Sequence, residues 1–444
     1  MSRRPADPTP APLEAYCQQL DASFRTVNQR TAFRRYLEGL LLPAERNKTL
    51  TALAHAEPIT GAQQAGVQRL QWFLSESSWQ PAALNRARLA VLRADPRTAP
   101  TATGVLVIDE HGDRKWGRQT AHVGKQYVGN LGKVEQAVVS VSSRWADERV
   151  YWPVDVVPYT PAHHFARGKA DPAFHTKPQL ALTLVEQAVA AGLAFRAVVA
   201  DSFYGEDHGF TAGLRRAALG YVLALKPSHG WWHLEGTIGA LRDAAEQAGW
   251  SGPEQPGPWV RVERCVRDGH HEVWWALEVV AGPYGPQRPQ RAVVATTDPG
   301  TLPDHATWYL TTNLVDADLA ELVRLYGLRN WVEQSYKHVR HSLGWGQYQV
   351  RSDLAIRRHW AVVCCAFSFC WQAAADRLDL GSPPVTVTSQ TPTVPVPAPA
   401  PTPRRGENQA PDLAPGPAAS PRLVDPLGLA ATLVGGVVAA APAP

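Results

Sequence analysis

Along this chain the spacing of apolar positions changes several times, and each change marks a boundary. Residues 12–95 carry helical spacing: "FRRYLEGLLLPAERNKTLTALA" (33–54) and "AGVQRLQWFLSESSWQPAALNRARLAVL" (65–92) repeat apolar side chains three and four apart, and the second stops just before Pro96. From 104 the period shortens. "GVLVID" (104–109), "VEQAVVSVSS" (134–143) and "RVYWPV" (149–154) predict three strands, the first ending at Asp109. "PQLALTLVEQAVAAG" (178–192) is then an amphipathic helix closed by Gly192, and "FRAVVAD" (195–201) a strand with Asp201 at its mouth. "HGFTAGLRRAALG" (208–220) and "YVLALKP" (221–227) add a helix and a strand, so the predicted order is βββαβαβ. Residues 228–315 turn Trp-rich and β-patterned between Gly and Pro breaks, which predicts an inserted β subdomain. "DLAELVRLYGLRNWVEQSYKHVRHSLG" (318–344) returns to helical spacing. Its apolar stripe is Leu325, Leu328, Val332 and Val339, and Arg329, Glu333, Lys337 and Arg340 line the adjoining face.

"AVVCCAFSFCW" (361–371) is too short to span a bilayer and reads as a buried helix. Residues 381–444 are too rich in Pro and Ala to pack a core, which predicts a disordered tail. Its last stretch, "LGLAATLVGGVVAAAPAP" (427–444), lacks the length and flanking charges of a membrane anchor. The expected organisation is therefore a helical N-terminal domain over 1–100, an α/β domain over 101–380 with its β insertion at 228–315, and the tail.

Charge narrows the function. Forty-four Lys and Arg against 40 Asp and Glu give +4, which excludes a histone-like chain bound along its whole length to nucleic acid; any basic surface must be local. One such surface is 321–360, where Arg324, Arg329, Lys337, Arg340, Arg351, Arg357 and Arg358 face only Glu321, Glu333 and Asp353. Arg34, Arg35, Arg46, Lys48, Arg69, Arg86, Arg88 and Arg93 are spread through the N-terminal helices, as a solvated surface or a DNA-binding one. The five cysteines form no C-x-x-C pair, and "MSRRPADPTPAPLEAY" has no apolar signal core, so a cytoplasmic protein without a membrane association is expected.

Three carboxylates stand out by position: Asp109 and Asp201 after apolar strands, and Glu333 on the late helix. Oxygen donors of this kind, converging, suit Mg²⁺, which retains waters that substrate phosphates can displace. Paired ions of that type drive in-line attack on a phosphodiester, and the cations around Glu333 then have DNA phosphates as partners. A carboxylate-pair glycosidase leaves those cations unexplained.

The βββαβα order with Asp, Asp and a late Glu resembles the RNase H-like core of DDE transposases from bacterial insertion sequences, the IS-four superfamily. The superfamily signature is Tyr, two residues, Arg, three residues, Glu, six residues, Lys; this chain has Tyr326, Arg329, Glu333 and Arg340. "VLVIDEHGDRKWGRQTAHVGKQYVGNLGKVEQAVVSV" (105–141) and "FHTKPQLAL…FRAVVADSFYG" (174–205) look like the two Asp regions of one branch, and the resemblance spans about residues 30–372. It implies cut-and-paste transposition: binding of terminal inverted repeats, Mg²⁺-dependent cleavage with Mn²⁺ as substitute, strand transfer into target DNA, and a homodimer joining two ends. Asp109, Asp201 and Glu333 would be catalytic metal ligands. Tyr326, Arg329, Lys337 and Arg340 would contact DNA, and Trp308, Trp274 or Trp275 would stack on a flipped base. Departures are Asp109-Glu110-His111-Gly112 where relatives have Asp-Asp-Thr-Gly, and Arg340 in place of Lys. Glu110 should not share the role of Asp109 if the strand runs that far, since neighbours on a strand face opposite ways. A DNA-binding protein derived from a transposase, without catalysis, is the alternative. "KQYVGNLGKVEQ" (125–136), with Gly129 and Gly132 among lysines, reads as a backbone-contacting turn or a plain hairpin.

Overall fold

The computed structural model describes residues 9–43, 46–232, 238–265, 270–279, 291–330, 339, 342–375 and 389–390. Five helices come first: α1 (Ala11–Leu20), α2 (Val27–Leu41), α3 (Leu50–Leu53), α4 (Ala65–Ser75) and α5 (Pro81–Ala94). The periodic stretch 65–92 is thus two helices. Pro81 explains the break: it lacks the N–H an inner turn needs and starts α5 as its first residue. In α2 the start is fixed by Thr26 and Gln29, whose side chains reciprocally accept each other's backbone N–H groups.

The sheet follows with β1 (Val105–Arg114), β2 (Gly124–Val128), β3 (Lys133–Ala146) and β4 (Tyr151–Tyr159), then α6 (Lys177–Ala190), β5 (Ala197–Ala200), α7 (Ser202–Gly205), α8 (His208–Arg216) and β6 (Tyr221–Ala224). After these come β7 (Gly230–Trp232), β8 (Ile238–Ala240), α9 (Leu241–Gln247), β9 (Val260–Cys265), β10 (His271–Val279), β11 (Arg291–Thr296) and β12 (Thr307–Thr312). The chain returns to helix in α10 (Leu319–Gly327) and α11 (Asp353–Ala375), and Ser389–Gln390 form a short β13. One mixed sheet runs β13-β9-β10-β11-β12-β6-β5-β1-β3-β2, with β4 also on β3. β5 pairs in parallel with both β1 and β6. β4 carries Pro153 and Pro158, tolerable because among the described residues this strand pairs with β3 alone.

Of the insertion's strands, β7 and β8 pair as a two-stranded sheet of their own, whereas β9 to β12 join the central one: β12 pairs with β6, Thr311 opposite Leu223. Alternation then feeds two cores. On β11, Val293 and Ala295 face the main core, while Ala292 and Val294 face a smaller one with Leu241 and Ala245 of α9. Trp274 and Trp275 split in the same way. Burial on both faces is why these strands read as continuous apolar runs.

The main core continues from the N-terminal helices through α11 into β1 and β5. α11 is the buried helix expected at 361–371, and its Cys364, Cys365 and Cys370 are buried thiols outside any disulfide. Burial pushes the Cys364 thiol up to about 11, so it acts as an apolar filler. Several N-terminal cations are structural. Arg88 is fully buried, bonded to Asn85 Oδ1 at 2.6 Å, Val154 O at 2.8 Å and Ser368 Oγ at 3.0 Å. Lys48 is buried against the last carbonyls of α2, Leu42 O at 2.6 Å among them. Arg34 pairs with Glu14 and Asp21, each at 2.7 Å. Arg69, Arg86 and Arg93 stay exposed. In the expected tail, Ser389 and Gln390 pair with Val262 and Arg261 of β9; its other residues lie outside the described ones.

His359 of α11 is fully buried, its Nδ1 2.8 Å from the Tyr36 hydroxyl and its Nε2 3.2 Å from the carbonyls of Gly344 and Trp345. Carbonyls only accept, so Nε2 carries the proton and Nδ1 accepts from Tyr36. Burial, helped by the Lys115 charge, lowers its pKa to about 4. A depressed histidine pKa means the unfolded chain binds the proton more readily, so stability falls as pH drops from 6.5 towards 4. Between pH 7 and pH 5 the stability gap between wild type and His359→Gln is expected to narrow by about 2 kcal/mol. Urea titrations at the two pH values measure it, and a pH-independent gap refutes the assignment.

Candidate active site

The first aspartate is not at a strand end. β1 runs on to Arg114, so Asp109 sits in mid-strand. What ends there is its neighbour: Val107 pairs with Val199 of β5, and β5 stops at Ala200. Two residues beyond that pair on each strand stand Asp109 and Asp201, side by side at the carboxyl end of β5. Asp201 leaves the sheet as the N-cap of α7, its Oδ1 accepting the Phe203 N–H at 3.1 Å. That cap orients the carboxylate while about a third of its surface stays open to solvent, 34 % of the side chain.

Asp109 is half-buried, and its carboxyl is raised to about 6. Burial is the main cause and the charge of Asp201 adds to it; Arg329, the Glu110 N–H at 2.9 Å and Arg144 act in the opposite direction. Arg144, whose charge acts on Asp109, is a member of this cluster that sequence reasoning misses. It is buried on β3 opposite Val107, so it shares the sheet face of Asp109. An arginine closing the run "AVVSVSSR" in the phase of the inward positions is the available signal.

Glu110 behaves as alternation requires. It faces the other side of the sheet and pairs with Lys177 at the start of α6, at 2.7 Å. Lys177 also lies 5.4 Å from the Phe203 ring centre and 5.6 Å from that of Tyr159.

The late helix differs from the single run expected over 318–344. α10 ends at Gly327, where any Cβ would collide with the Arg264 guanidinium, and Arg329 lies in the turn that follows. Its backbone N–H bonds the Tyr326 carbonyl at 3.0 Å, and one Nη stands 3.9 Å from Asp201 Oδ2. Tyr326 is buried, and burial raises its hydroxyl pKa against the opposing charge of Arg329, to which the hydroxyl is hydrogen-bonded. Tyr326, Arg329, Asp109 and Asp201 therefore form one cluster. Glu333, Lys337 and Arg340 lie outside the described residues.

The tryptophans are stacked within the protein. Trp308 is half-buried, 3.9 Å centre to centre from Trp274 and edge-on to Tyr326 at 5.0 Å, with Arg264 5.4 Å from its ring. Trp274 and Trp275 are buried. His163 and His164 sit in a surface turn, as expected of loop residues, and His164 Nε2 donates to Val123 O at 2.7 Å. Among the described residues no group of three His, Cys, Asp or Glu could hold a metal ion, and no helix is long and apolar enough to cross a membrane.

A family model described as DDE superfamily endonuclease matches residues 19–271, which include both aspartates. A "probable transposase for insertion sequence element IS701" from Microchaete diplosiphon is 31 % identical over 348 residues, 78 % of this chain and 84 % of that protein. The chain belongs to the DDE superfamily of endonucleases. It is an insertion-sequence transposase, an enzyme of phosphodiester cleavage and transesterification that acts on DNA. Two aspartates at the carboxyl end of β5, with Arg329 3.9 Å from one of them, are the cluster that the described residues bring together within the matched family.

Proposed function

We propose that this transposase binds the terminal inverted repeats of its element and performs cut-and-paste transposition through a metal-dependent site on an RNase H-like core. Asp109, Asp201 and Glu333 are the proposed ligands. The observation that carries the reading is the parallel register of β1 and β5, which sets two carboxylates beside each other at one strand end. Burial, with the charge of Asp201 added, holds Asp109 up to about 6, and a divalent cation between the two carboxylates would offset both. Hard oxygen donors fit Mg²⁺, with Mn²⁺ as substitute. Bound there, the metal supplies charge stabilisation at the leaving oxygen and activation of the attacking water or 3′-hydroxyl.

The chain's own side chains then position the DNA. The planar fork of Arg329 suits a non-bridging phosphate oxygen, and the Tyr326 hydroxyl holds that fork in place. Lys337 and Arg340 extend the contact along the phosphates, and the half-buried Trp308 offers its remaining edge to a base. Residues 1–100 serve as a DNA-binding domain, with Arg69, Arg86 and Arg93 as exposed cations. Residues 101–380 form the catalytic domain, and a homodimer joins the two ends before attack on target DNA.

Purified full-length protein, incubated with duplexes carrying the DNA that flanks the gene, is expected to break strands at the element ends in Mg²⁺ and not in EDTA. Binding without cleavage in either Mg²⁺ or Mn²⁺ would instead make the chain a DNA-binding descendant that has lost its chemistry.

A further inference from the structure

Among the described residues only three Phe, Tyr or Trp side chains are exposed. Phe203 lies two residues from Asp201; Trp116 and Tyr127, 85 % and 56 % exposed, belong to a different place, the β1–β2 connection and the β2–β3 hairpin. Around them are four exposed cations, Arg114, Arg118, Lys125 and Lys133, against one acid, Glu135. Glu135 takes Lys133 at 2.9 Å and Arg114 at 3.6 Å, so Arg118 and Lys125 have no acidic partner among the described residues. The Arg114 guanidinium lies 4.1 Å over the Trp116 ring.

Alternation fixes which way the hairpin faces. Gln126 and Val128 turn inward, while Lys125 and Tyr127 turn out beside their cross-strand partners Gln136 and Val134. Val128 packs on Gly112, so closely that a Cβ on Gly112 would meet it at 2.8 Å. The hairpin is thereby clamped to the face of β1 that Glu110 takes, opposite that of Asp109 and three residues, about 10 Å, further along the strand. Gly117 and Gly129 have neither a positive φ nor any atom within 4 Å of where a Cβ would stand, so nothing in the protein's own packing demands glycine there.

We propose that the β2–β3 hairpin with the preceding loop is a DNA-docking surface for the duplex next to the cleaved phosphodiester. Arg118, Lys125 and Lys133 contact phosphates, Tyr127 and Trp116 pack against the sugars, and Gly117 and Gly129 allow the backbone to come close. A polyanion is the occupant that matches a basic surface with exposed rings, four cations against one acid, on a protein that acts on DNA. The inference rests on the transposase reading and adds a surface outside the signature residues.

The test is fluorescence anisotropy of full-length protein on a labelled duplex carrying one end of the flanking DNA, from about 50 to 200 mM NaCl. The triple variant Arg118→Ala, Lys125→Ala, Lys133→Ala changes only exposed side chains. It is expected to bind at least tenfold more weakly at the lower salt, with the slope of log K against log salt shallower by about 2 to 3. Wild-type affinity and slope in the triple variant overturn the proposal while leaving the transposase reading intact. Failure of the wild type to bind any duplex sinks both. Unchanged DNA binding, with a lower oligomeric mass by light scattering, assigns the hairpin to a second copy of the chain and also overturns it.

Discussion

Asp201→Asn is expected to lower the rate of DNA-end cleavage by about a thousandfold or more, with the protein fully folded. A ligand carboxylate that helps hold a catalytic cation supports several kcal/mol of transition-state stabilisation, and about 4 kcal/mol corresponds to that factor. The substitution is clean for a local reason. The carboxylate caps α7 by accepting the Phe203 N–H, and the asparagine carbonyl can accept the same bond. The side chain is also partly open to solvent, so no packing is lost. Asp109→Asn and Glu333→Gln should act alike. Glu110→Gln is the contrasting variant, because Glu110 faces the other side of β1 and pairs with Lys177; its effect on cleavage should stay within a few-fold. Single-turnover cleavage of an end duplex, with circular dichroism to establish folding, separates the four. If Asp201→Asn cleaves within tenfold of wild type, the site is elsewhere.

Arg358→Met is expected to cost about 3–5 kcal/mol of stability without touching the aspartates. Arg358 is 1 % exposed and has no acidic partner in its bonds; its guanidinium spends its donors on backbone carbonyls. Nη1 reaches Leu74 O at 2.8 Å, Nη2 reaches Trp79 O at 2.8 Å and also Ser77 O, and Nε reaches Trp79 O at 3.1 Å. These carbonyls lie in the last turn of α4 and the link to α5, where helix termini leave acceptors unmet. Methionine fills similar volume but leaves three buried carbonyls without donors. Lysine, with a single ammonium, should recover part of the loss because it cannot reach all three. Urea denaturation followed by far-ultraviolet circular dichroism measures the difference. A loss under about 1 kcal/mol means that the carbonyls find other partners and that Arg358 is not the clamp between α11 and the helical layer.

The two cases differ in how visible they are beforehand. Asp109 and Asp201 can be found because each ends an apolar run, and the order of such runs is local information. Arg358 cannot, since "IRRHW" gives no hint that one of two adjacent arginines is buried under a helix more than 270 positions away. The same holds for Arg88 and Lys48. By sequence both belong with the cations offered to solvent or DNA, and in the fold both are consumed by carbonyls. Composition and spacing report charge but not the neighbours that charge will meet.

By itself, the sequence determined the strands and helices whose period is strong, the two aspartates, the opposite facing of Glu110, and the Tyr326 to Arg329 spacing. These follow from side-chain alternation and short-range backbone chemistry, which need no distant contact. Only the tertiary structure decided that Asp109 lies in mid-strand, level with the end of β5, and that β12 joins β6 to make one sheet of core and insertion. It also decided that Arg144 stands by Asp109, and that Trp308 lies between Trp274 and Tyr326. Each of these is a pairing between segments far apart in the chain. Which strand edge or ring face a segment meets depends on the packing free energy of the whole fold, and no local pattern encodes it.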